Sequence, residues 1–555
     1  MLGPRSLSAR AAHERDARAS GIRGLKADVV IIGGGLGGCA AALAALRSGL
    51  RVILTEETDW IGGQLTSQAV PPDENRWIET HGCTRSYRQL RNGIRDYYRR
   101  HYPLLASVAS REDLNPGDGF VSRLCHEPRV ALAVLEAMLS AHLSSGQLIL
   151  LLEHSPLHAE LHGDEVRSIE CLNARTGHRV QLEAPHFIDA TELGDLLPMA
   201  RVEHAVGAES RNEHHELHAP EKADPANQQA FTVCFAVDHI AGEDHRIDKP
   251  RDYAFWKSFV PQLQPAWPGR LLSLTYSHPQ TLQPRTVAFE PSQENTGELT
   301  NLWRYRRLAR QSQFTPGSYR GDISLMNWPQ NDYLLGNLVG VTPTEARKHV
   351  HRAKDLSLSL LYWLQTEAPR LDGGQGWAGL RLRGDLLGTS DGLAKAPYIR
   401  ESRRIRSVFT VTEADCGREA RAVQTGQKAA QVTAARYHDS VGIGHYNIDL
   451  HPSTTGKNYI DVPSLPFEIP LGALLPVRVK NLIPACKNLG VTHITNGCYR
   501  LHPVEWNIGE AAGTLVAFAQ SRKTSVHHVR ENAKLLNDLQ SRLTANGVEL
   551  RWPTT

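Results

Sequence analysis

The chain has 555 residues, 41% of them hydrophobic and 22% charged, and its 62 Lys and Arg nearly balance its 59 Asp and Glu. This length exceeds one compact core and predicts about two to four domains. The even charge argues against a nucleic-acid partner, and because no apolar run is long enough to cross a bilayer, we expect no membrane span.

The eight cysteines are scattered without a C-x-x-C pair or zinc spacing. This pattern favours reduced thiols in a cytoplasmic protein, and we predict no metal site. Residues 1–26 carry five Arg and little apolar content, so they lack the hydrophobic core of a secretory signal. We predict a disordered basic tail there. The sequence leaves the oligomeric state open.

The stretch "DVVIIGGGLGGCAAALAALRSGLRVILTEE", residues 28–57, predicts a strand, a tight turn, a helix and a second strand. Gly33, Gly35 and Gly38 fit G-x-G-x-x-G, in which glycines permit the turn, the approach of a pyrophosphate and close packing of the helix. The helix N-terminus offers unpaired N–H groups to phosphates. Glu56 ends the second strand, where a carboxylate can accept hydrogen bonds from ribose hydroxyls. We therefore predict a dinucleotide site.

Further along, "TRSYRQLRNGIRDYYRRHY" has helical spacing, with arginines expected on a solvated face, and residues 129–143 are typical of a helix. Between residues 147 and 182, short strands separated by Gly and Asp turns predict a small antiparallel meander. "APHFIDATELGD" then returns as a buried strand with a polar end. Residues 343–369 predict a long amphipathic helix that begins at a capping Thr.

From these elements we predict four parts after the tail. Residues 27–200 and 471–520 form the dinucleotide-binding domain, residues 201–470 form an inserted, β-rich α+β substrate domain, and residues 521–555 form a helical extension. The predicted fold class is α/β with a discontinuous Rossmann-like domain.

Three features favour FAD over NAD. First, Gly62 and Gly63 follow Glu56 and let a second loop approach the cofactor. Second, "DATELGD" follows a late strand. Third, a late helix begins near Asn507 and Gly509, where its N-terminus can stabilise a reduced flavin. We predict that FAD binds these residues: Gly33, Gly35, Leu36, Gly37, Gly38, Glu56, Glu57, Gly62, Gly63, Gln64, Asp189, Ala190, Thr191, Asn507 and Gly509.

At these residues the sequence resembles a family. "GGGLGG", "TDWIGGQLTSQ", "DATELGD", "NWPQNDY", "YIRESRRI" and "LHPVEWNIGEAAG" are similar to the motifs of bacterial FAD-dependent oxidoreductases of the glutathione-reductase-type flavoprotein superfamily. The resemblance covers about residues 27–520. It implies a non-covalent FAD on a Rossmann-like domain with a β-rich substrate domain over the flavin. Cys39 departs from the pattern as a small hydrophobe in an apolar position.

Four residues are candidates for chemistry. Arg400 and Arg403 in "YIRESRRI" can hold a substrate carboxylate, although ion pairing with Glu401 and its neighbours is the alternative. His451 and His502 can act as general bases, although each can equally be a packed or surface histidine.

No second G-x-G-x-x-G marks a separate NAD(P)H domain, so we expect the substrate itself to reduce the flavin. The expected function is an FAD-dependent dehydrogenase or oxidase that moves a hydride from a small polar metabolite to flavin N5, with oxygen or another external electron acceptor. The alternatives are a flavin-dependent monooxygenase and a non-catalytic FAD-binding protein.

Overall fold

The computed structural model describes residues 23–553. Its centre is a five-stranded parallel sheet, called here the nucleotide sheet. In spatial order its strands are Leu482–Pro484, His186–Asp189, Val29–Ile32, Val52–Glu56 and Leu148–Leu152. The central strand is completely buried, as expected for a parallel strand covered on both faces. The predicted Rossmann-like α/β fold is confirmed.

Two helices cover one side of the nucleotide sheet and cross at glycines. Helix Leu36–Arg47 follows the glycine turn, and helix His502–Arg522 packs against it. A Cβ atom on Gly509 would lie 2.0 Å from the carbonyl oxygen of Gly37, and one on Gly513 would lie 2.2 Å from that of Ala41. The late helix can therefore approach this closely only because both positions are glycine.

A second sheet corrects two sequence expectations. Its strands, in order, are Arg23–Lys26, Arg179–Glu183, Glu165–Asn173 and His154–His162. The prediction of a disordered tail was wrong for residues 23–26, because they pair in parallel with Arg179–Glu183; residues 1–22 lie outside the described residues. Strand Leu148–Leu152 is not part of the meander either, since its parallel pairing with Val52–Glu56 places it at the edge of the nucleotide sheet.

The middle of the chain has its own apolar core, formed by residues between Ala230 and Leu393 together with Tyr459. A four-stranded antiparallel sheet lies there, in the order Arg307–Ala309, Ile323–Met326, Phe235–His239 and Leu380–Leu382. Helix Pro343–Thr366 starts as predicted at a capping box formed by Thr342 and Glu345, and it ends three residues before the predicted boundary.

Shorter elements complete the fold. The two-stranded pairs are Phe231–Thr232 with Asp332–Tyr333, Thr275–Ser277 with Pro284–Thr286, His204–Ala205 with Arg404–Ile405, Ser440–Gly444 with Phe467–Pro470, and Ile448–Leu450 with Ile460–Val462. The other α-helices are Arg85–His101, Ala106–Ala109, Pro128–Ser144, Leu196–Met199, Arg211–His214, Tyr253–Ser258, Leu302–Tyr305, Gly384–Leu387, Glu413–Cys416, Arg418–Thr425, His493–Tyr499, Val526–Glu531 and Ala533–Ala545. The 3-10 helices are Gly63–Leu65, Gln311–Gln313, Pro329–Asn331 and Leu471–Leu474.

Helix Arg85–His101 departs from the expectation of a solvated arginine face. Arg91 and Arg95 are buried and form ion pairs with Glu79, and Arg91 also pairs with Glu74. Within residues 23–553 we find no helix with the length and apolarity needed to cross a membrane.

Candidate functional site: two adjoining cavities

The first cavity lies at the carboxyl ends of the nucleotide-sheet strands and is called here the dinucleotide cavity. It has a volume of about 230 Å³. The glycine turn, the end of strand Val52–Glu56, the loop after His186–Asp189 and the segment 396–399 form its walls. In α/β sheets, ligands bind at this edge, so the cavity lies where the fold leads one to expect a nucleotide.

The glycine turn fits this role by shape. Gly33 has φ of 101°, and a Cβ there would lie 2.2 Å from the carbonyl oxygen of Ala190. A Cβ on Gly37 would lie 1.8 Å from the carbonyl oxygen of Ala485. Gly35 caps helix Leu36–Arg47 without a side chain, so no capping side chain competes with a phosphate group at the helix N-terminus.

Glu56 is held in place by the backbone around it. Gly34 N–H donates to its Oε2 at 3.0 Å, and the N–H and hydroxyl of Thr58 donate to its Oε1 at 2.9 and 2.8 Å. Burial raises the pKa of Glu56 to about 7, against these hydrogen bonds. The carboxyl group is thus fixed on the cavity wall, where it can meet a ribose.

A second carboxyl group, Glu505, extends from helix His502–Arg522 to the start of helix Leu36–Arg47. Its Oε1 accepts from Gly37 N–H at 3.3 Å and its Oε2 accepts from the amide of Gln64 at 2.7 Å. Burial raises the pKa of Glu505 to about 7, although buried Lys487 opposes this shift. Lys487 itself forms an ion pair with Glu192 on the cavity wall.

The predicted cofactor residues separate into two groups. Gly33, Gly35, Glu56, Glu57, Gly63, Ala190 and Thr191 line the dinucleotide cavity. The wall residues Ser67, Gln68, Glu192, Leu193, Asp195 and Ile399 were not chosen individually, although all of them lie within the motifs "TDWIGGQLTSQ", "DATELGD" and "YIRESRRI" that the sequence analysis singled out.

The remaining predicted residues lie behind the cavity wall. Leu36, Gly37, Gly38 and Gly62 support the glycine turn, and Gln64 bridges Glu505 and the Arg500 carbonyl. Asp189 accepts from the N–H and hydroxyl of Thr191 and so shapes the loop.

The prediction that the late helix begins near Asn507 and Gly509 was wrong. The helix begins at His502, so neither residue is at its N-terminus. The Asn507 amide bonds the backbone of Val441 and Ile443, and Gly509 packs on Gly37. Both residues therefore hold the helix against its neighbours in the fold and do not line the dinucleotide cavity.

The second cavity, called here the substrate cavity, has a volume of about 400 Å³ and lies between the middle of the chain and the loops around Asp73 and Arg500. The two cavities share one wall segment: Ala396 and Ile399 line the dinucleotide cavity, while Tyr398 and Arg400 line the substrate cavity.

His451 and Arg400 come together on the substrate cavity wall through Asp332. His451 Nδ1 lies 2.5 Å from Asp332 Oδ2, and Arg400 Nη1 lies 3.3 Å from Asp332 Oδ1. Although burial opposes ionisation, Arg400 and His451 lower the pKa of Asp332 to about 2. An ionised Asp332 accepts a proton-bearing Nδ1, which leaves the lone pair of a neutral His451 on Nε2.

Two further arginines on the same wall were not predicted. Arg500 donates to the hydroxyl of Tyr398 at 3.1 Å and contacts Asp449 at 3.2 Å. The guanidinium of Arg306 makes a single hydrogen bond within residues 23–553, to Asp73 at 3.4 Å. Both arginines are almost completely buried. Sequence offered no signal for them, since only folding brings residues 73, 306, 398 and 500 together.

Two candidates for chemistry are not brought to the substrate cavity. Arg403 donates to the Leu193 carbonyl and pairs with Asp195 at 3.2 Å, so the ion-pairing alternative applies to it. His502 is buried and accepts from Asp73 N–H through Nδ1 at 3.0 Å. Burial lowers its pKa to about 4. With its only lone pair already used, a neutral His502 is poorly suited to take a proton from a substrate.

Comparison with known families identifies the chain. The family model of FAD-dependent oxidoreductases matches residues 28–543, and the chain therefore belongs to this family. Its cofactor is FAD, and the protein is an FAD-dependent oxidoreductase. The glycine cradle described above has the shape to take a pyrophosphate, and the Glu56 carboxylate on the cavity wall can accept hydrogen bonds from a ribose. No curated protein sequence matches the chain.

Solved structures give only distant similarity. A variant of the E. coli quinol fumarate reductase subunit FrdA is 12% identical, with 94% of this chain and 74% of that chain covered and a TM-score of 0.30. OxyS anhydrotetracycline hydroxylase from Streptomyces rimosus is 10% identical, covering 94% and 66%, with a TM-score of 0.31. L-proline dehydrogenase from P. horikoshii is 18% identical and has a TM-score of 0.17. The match covers 34% of this chain and only 24% of that chain. Such scores carry no functional argument.

Proposed function

We propose that the protein is an FAD-dependent dehydrogenase or oxidase that oxidises a small polar metabolite in the substrate cavity. The observation that carries this proposal is the segment 396–400, which is a wall of both cavities. Residues 396–400 would therefore lie between FAD held in the dinucleotide cavity and a substrate in the second cavity, whose 400 Å³ suits a small metabolite.

His451 is the proposed general base. When bound, FAD supplies the two-electron acceptor. Asp332 holds the proton on His451 Nδ1, so that Nε2 can take a proton from the substrate, and Arg400 keeps Asp332 ionised. Arg306 and Arg500 orient the polar groups of the substrate. Arg403 and His502 have no direct part in this chemistry.

The finer assignments belong to the same proposal. The glycine turn and the strand order support membership of the glutathione-reductase-type superfamily. The separate apolar core between Ala230 and Leu393 supports a substrate domain within residues 201–470, inserted between the two parts of the FAD-binding domain. The eight buried free thiols support a reducing compartment such as the cytoplasm. The electron acceptor is proposed to be oxygen or another external oxidant.

The test is an absorbance spectrum of the purified protein before and after acid precipitation, followed by anaerobic addition of pooled metabolites. We expect a yellow supernatant, because the FAD is non-covalent, and bleaching by at least one pool. Bleaching by NADPH without any metabolite would instead indicate a monooxygenase. A flavin that no pool reduces, although it is required for folding, would refute catalysis.

A further inference from the structure

The charges of the substrate cavity nearly cancel. Its wall carries five arginines and four carboxylates: Arg76, Arg285, Arg306, Arg400, Arg500, Asp73, Glu74, Asp449 and Asp461. Behind the wall, Asp332 pairs with Arg400 and Arg91 pairs with Glu74, which brings the set to six arginines and five carboxylates. The three buried arginines each face one aspartate, at 3.4 Å for Arg306, 3.3 Å for Arg400 and 3.2 Å for Arg500. The cavity therefore lacks the large excess of positive charge that would attract an anion.

Two of these pairs, Arg306–Asp73 and Arg500–Asp449, leave hydrogen-bonding capacity unused, since the Nε–H of each arginine has no partner among the described residues. The two oxygens of Asp332, by contrast, are already engaged by Thr232 and His451. Charge-assisted N–H···O bonds are usually about 2.7–2.9 Å long, so the arginine–aspartate contacts are loose. Arg306 uses one of its five N–H donors, and Asp449 is only partly buried. A loose arginine–aspartate pair presents a donor and an acceptor side by side. Neighbouring hydroxyl groups, each of which both donates and accepts, match this arrangement.

Aromatic rings form much of the remaining wall. Six tyrosine and tryptophan side chains line the cavity: Tyr276, Tyr305, Trp328, Tyr398, Tyr446 and Tyr459. Four of them, Tyr276, Trp328, Tyr398 and Tyr459, are buried. Such rings offer an apolar face together with a polar tip. They suit a ligand with flat, C–H-bearing faces and polar edges.

From this combination we propose that the substrate is a neutral, ring-shaped polyhydroxylated compound, of the sugar or cyclitol type, oxidised at a secondary alcohol. This inference rests on the proposed function. Conversion of CH–OH to C=O releases two electrons and two protons. The hydroxyl proton passes to His451 Nε2, and the hydrogen and electron pair of the C–H bond go to oxidised FAD.

The experiment compares matched pairs of compounds on the FAD-loaded protein. The panel holds neutral hexoses, pentoses and inositols, and the uronic acid of each hexose, so that a pair differs only in its carboxylate. Binding is measured anaerobically, by the shift in melting temperature and by perturbation of the flavin spectrum. We expect at least one neutral compound to bind, with its uronic acid at least tenfold weaker.

Two variants link the binding to the wall. Arg306→Met is expected to weaken the neutral ligand at least tenfold, while Arg270→Met, an exposed arginine outside the cavity, leaves it unchanged. Tighter binding of the uronic acids, or no binding by any panel member, overturns the proposal. If another metabolite class bleaches the flavin, the oxidoreductase proposal survives and only the substrate class fails. If a sugar binds but nothing reduces the flavin, the proposed oxidation fails.

Discussion

At the scale of single residues, Asp332 decides how His451 can act. The ionised carboxylate fixes the proton on Nδ1 at 2.5 Å, whereas an amide at position 332 can donate to Nδ1 and so favours the other tautomer. We expect Asp332→Asn to slow anaerobic flavin reduction by the reducing metabolite by about 10²-fold, with the FAD content unchanged. Stopped-flow absorbance measures the rate.

The control for this prediction is Asp113→Asn, which changes an exposed carboxylate. Because His451 and Asp332 act as one unit, the double variant with His451→Ala should be no slower than His451→Ala alone. Two results would contradict a positioning role for Asp332. One is a double variant whose loss of rate is the product of the two single losses, and the other is an unchanged pH–rate profile in Asp332→Asn.

Glu505 sets a pH dependence for the binding of FAD. Its pKa is raised to about 7, and it accepts from Gly37 N–H at the place where the pyrophosphate is expected. Glu192, paired with Lys487, and Gln64 also face it. Below pH 7 the group is mostly neutral, and above pH 7 its negative charge repels the pyrophosphate.

The dissociation constant of FAD should therefore rise several-fold from pH 6 to pH 8. Fluorescence of free FAD during equilibrium titration of the apoprotein measures this. In Glu505→Gln the rise should be smaller, with Glu56, whose pKa is also about 7, as the remaining titrating group on the wall, whereas the exposed Glu531→Gln variant should behave as wild type. An equal rise in Glu505→Gln would assign the effect to other groups.

At the scale of elements, the crossing of helices Leu36–Arg47 and His502–Arg522 depends on its glycines. A Cβ on Gly513 meets a backbone carbonyl oxygen at 2.2 Å, which cannot move without shifting a helix. Gly513→Ala should therefore destabilise the protein by about 1–3 kcal/mol, despite the better helix propensity of alanine. Urea unfolding measures the loss.

Gly93→Ala is the matched control for this substitution. Gly93 also lies inside a helix, but its added Cβ meets a methyl group of Val134 at 2.7 Å, a side chain rather than backbone. We expect a smaller loss there. If Gly93→Ala lowers the free energy of unfolding as much as Gly513→Ala does, the backbone contact is not what restricts the helix crossing.

These elements also show what sequence could and could not foresee. The glycine turn, the capped helix Pro343–Thr366 and the strand before Asp189 carry local patterns, and each was recognised. The substrate cavity was recognised only in part: Arg400 and His451 were predicted, but Arg306 and Arg500 were not, because they are far apart in sequence and meet only through tertiary packing. Arg403 was chosen for its residue type, yet Asp195 neutralises it.

At the scale of the whole molecule, the dinucleotide cavity joins distant parts of the chain. Its walls come from residues 32–68, 154–156, 190–199 and 396–399. FAD bound there should therefore tie the substrate-side segment 396–399 to the nucleotide sheet. At a hundredfold excess over its dissociation constant, a ligand stabilises the folded state by about 2.7 kcal/mol.

We accordingly expect FAD to raise the melting temperature of the apoprotein and to slow hydrogen exchange in all of these segments at once. Riboflavin, which lacks the ADP half, is the control, because it cannot reach the glycine turn and Glu56. Mass spectrometry of exchanged peptides separates the segments. Protection limited to residues 32–68 would mean that the segment 396–399 is not a wall of the FAD site, and the link between the two cavities would then fail with it.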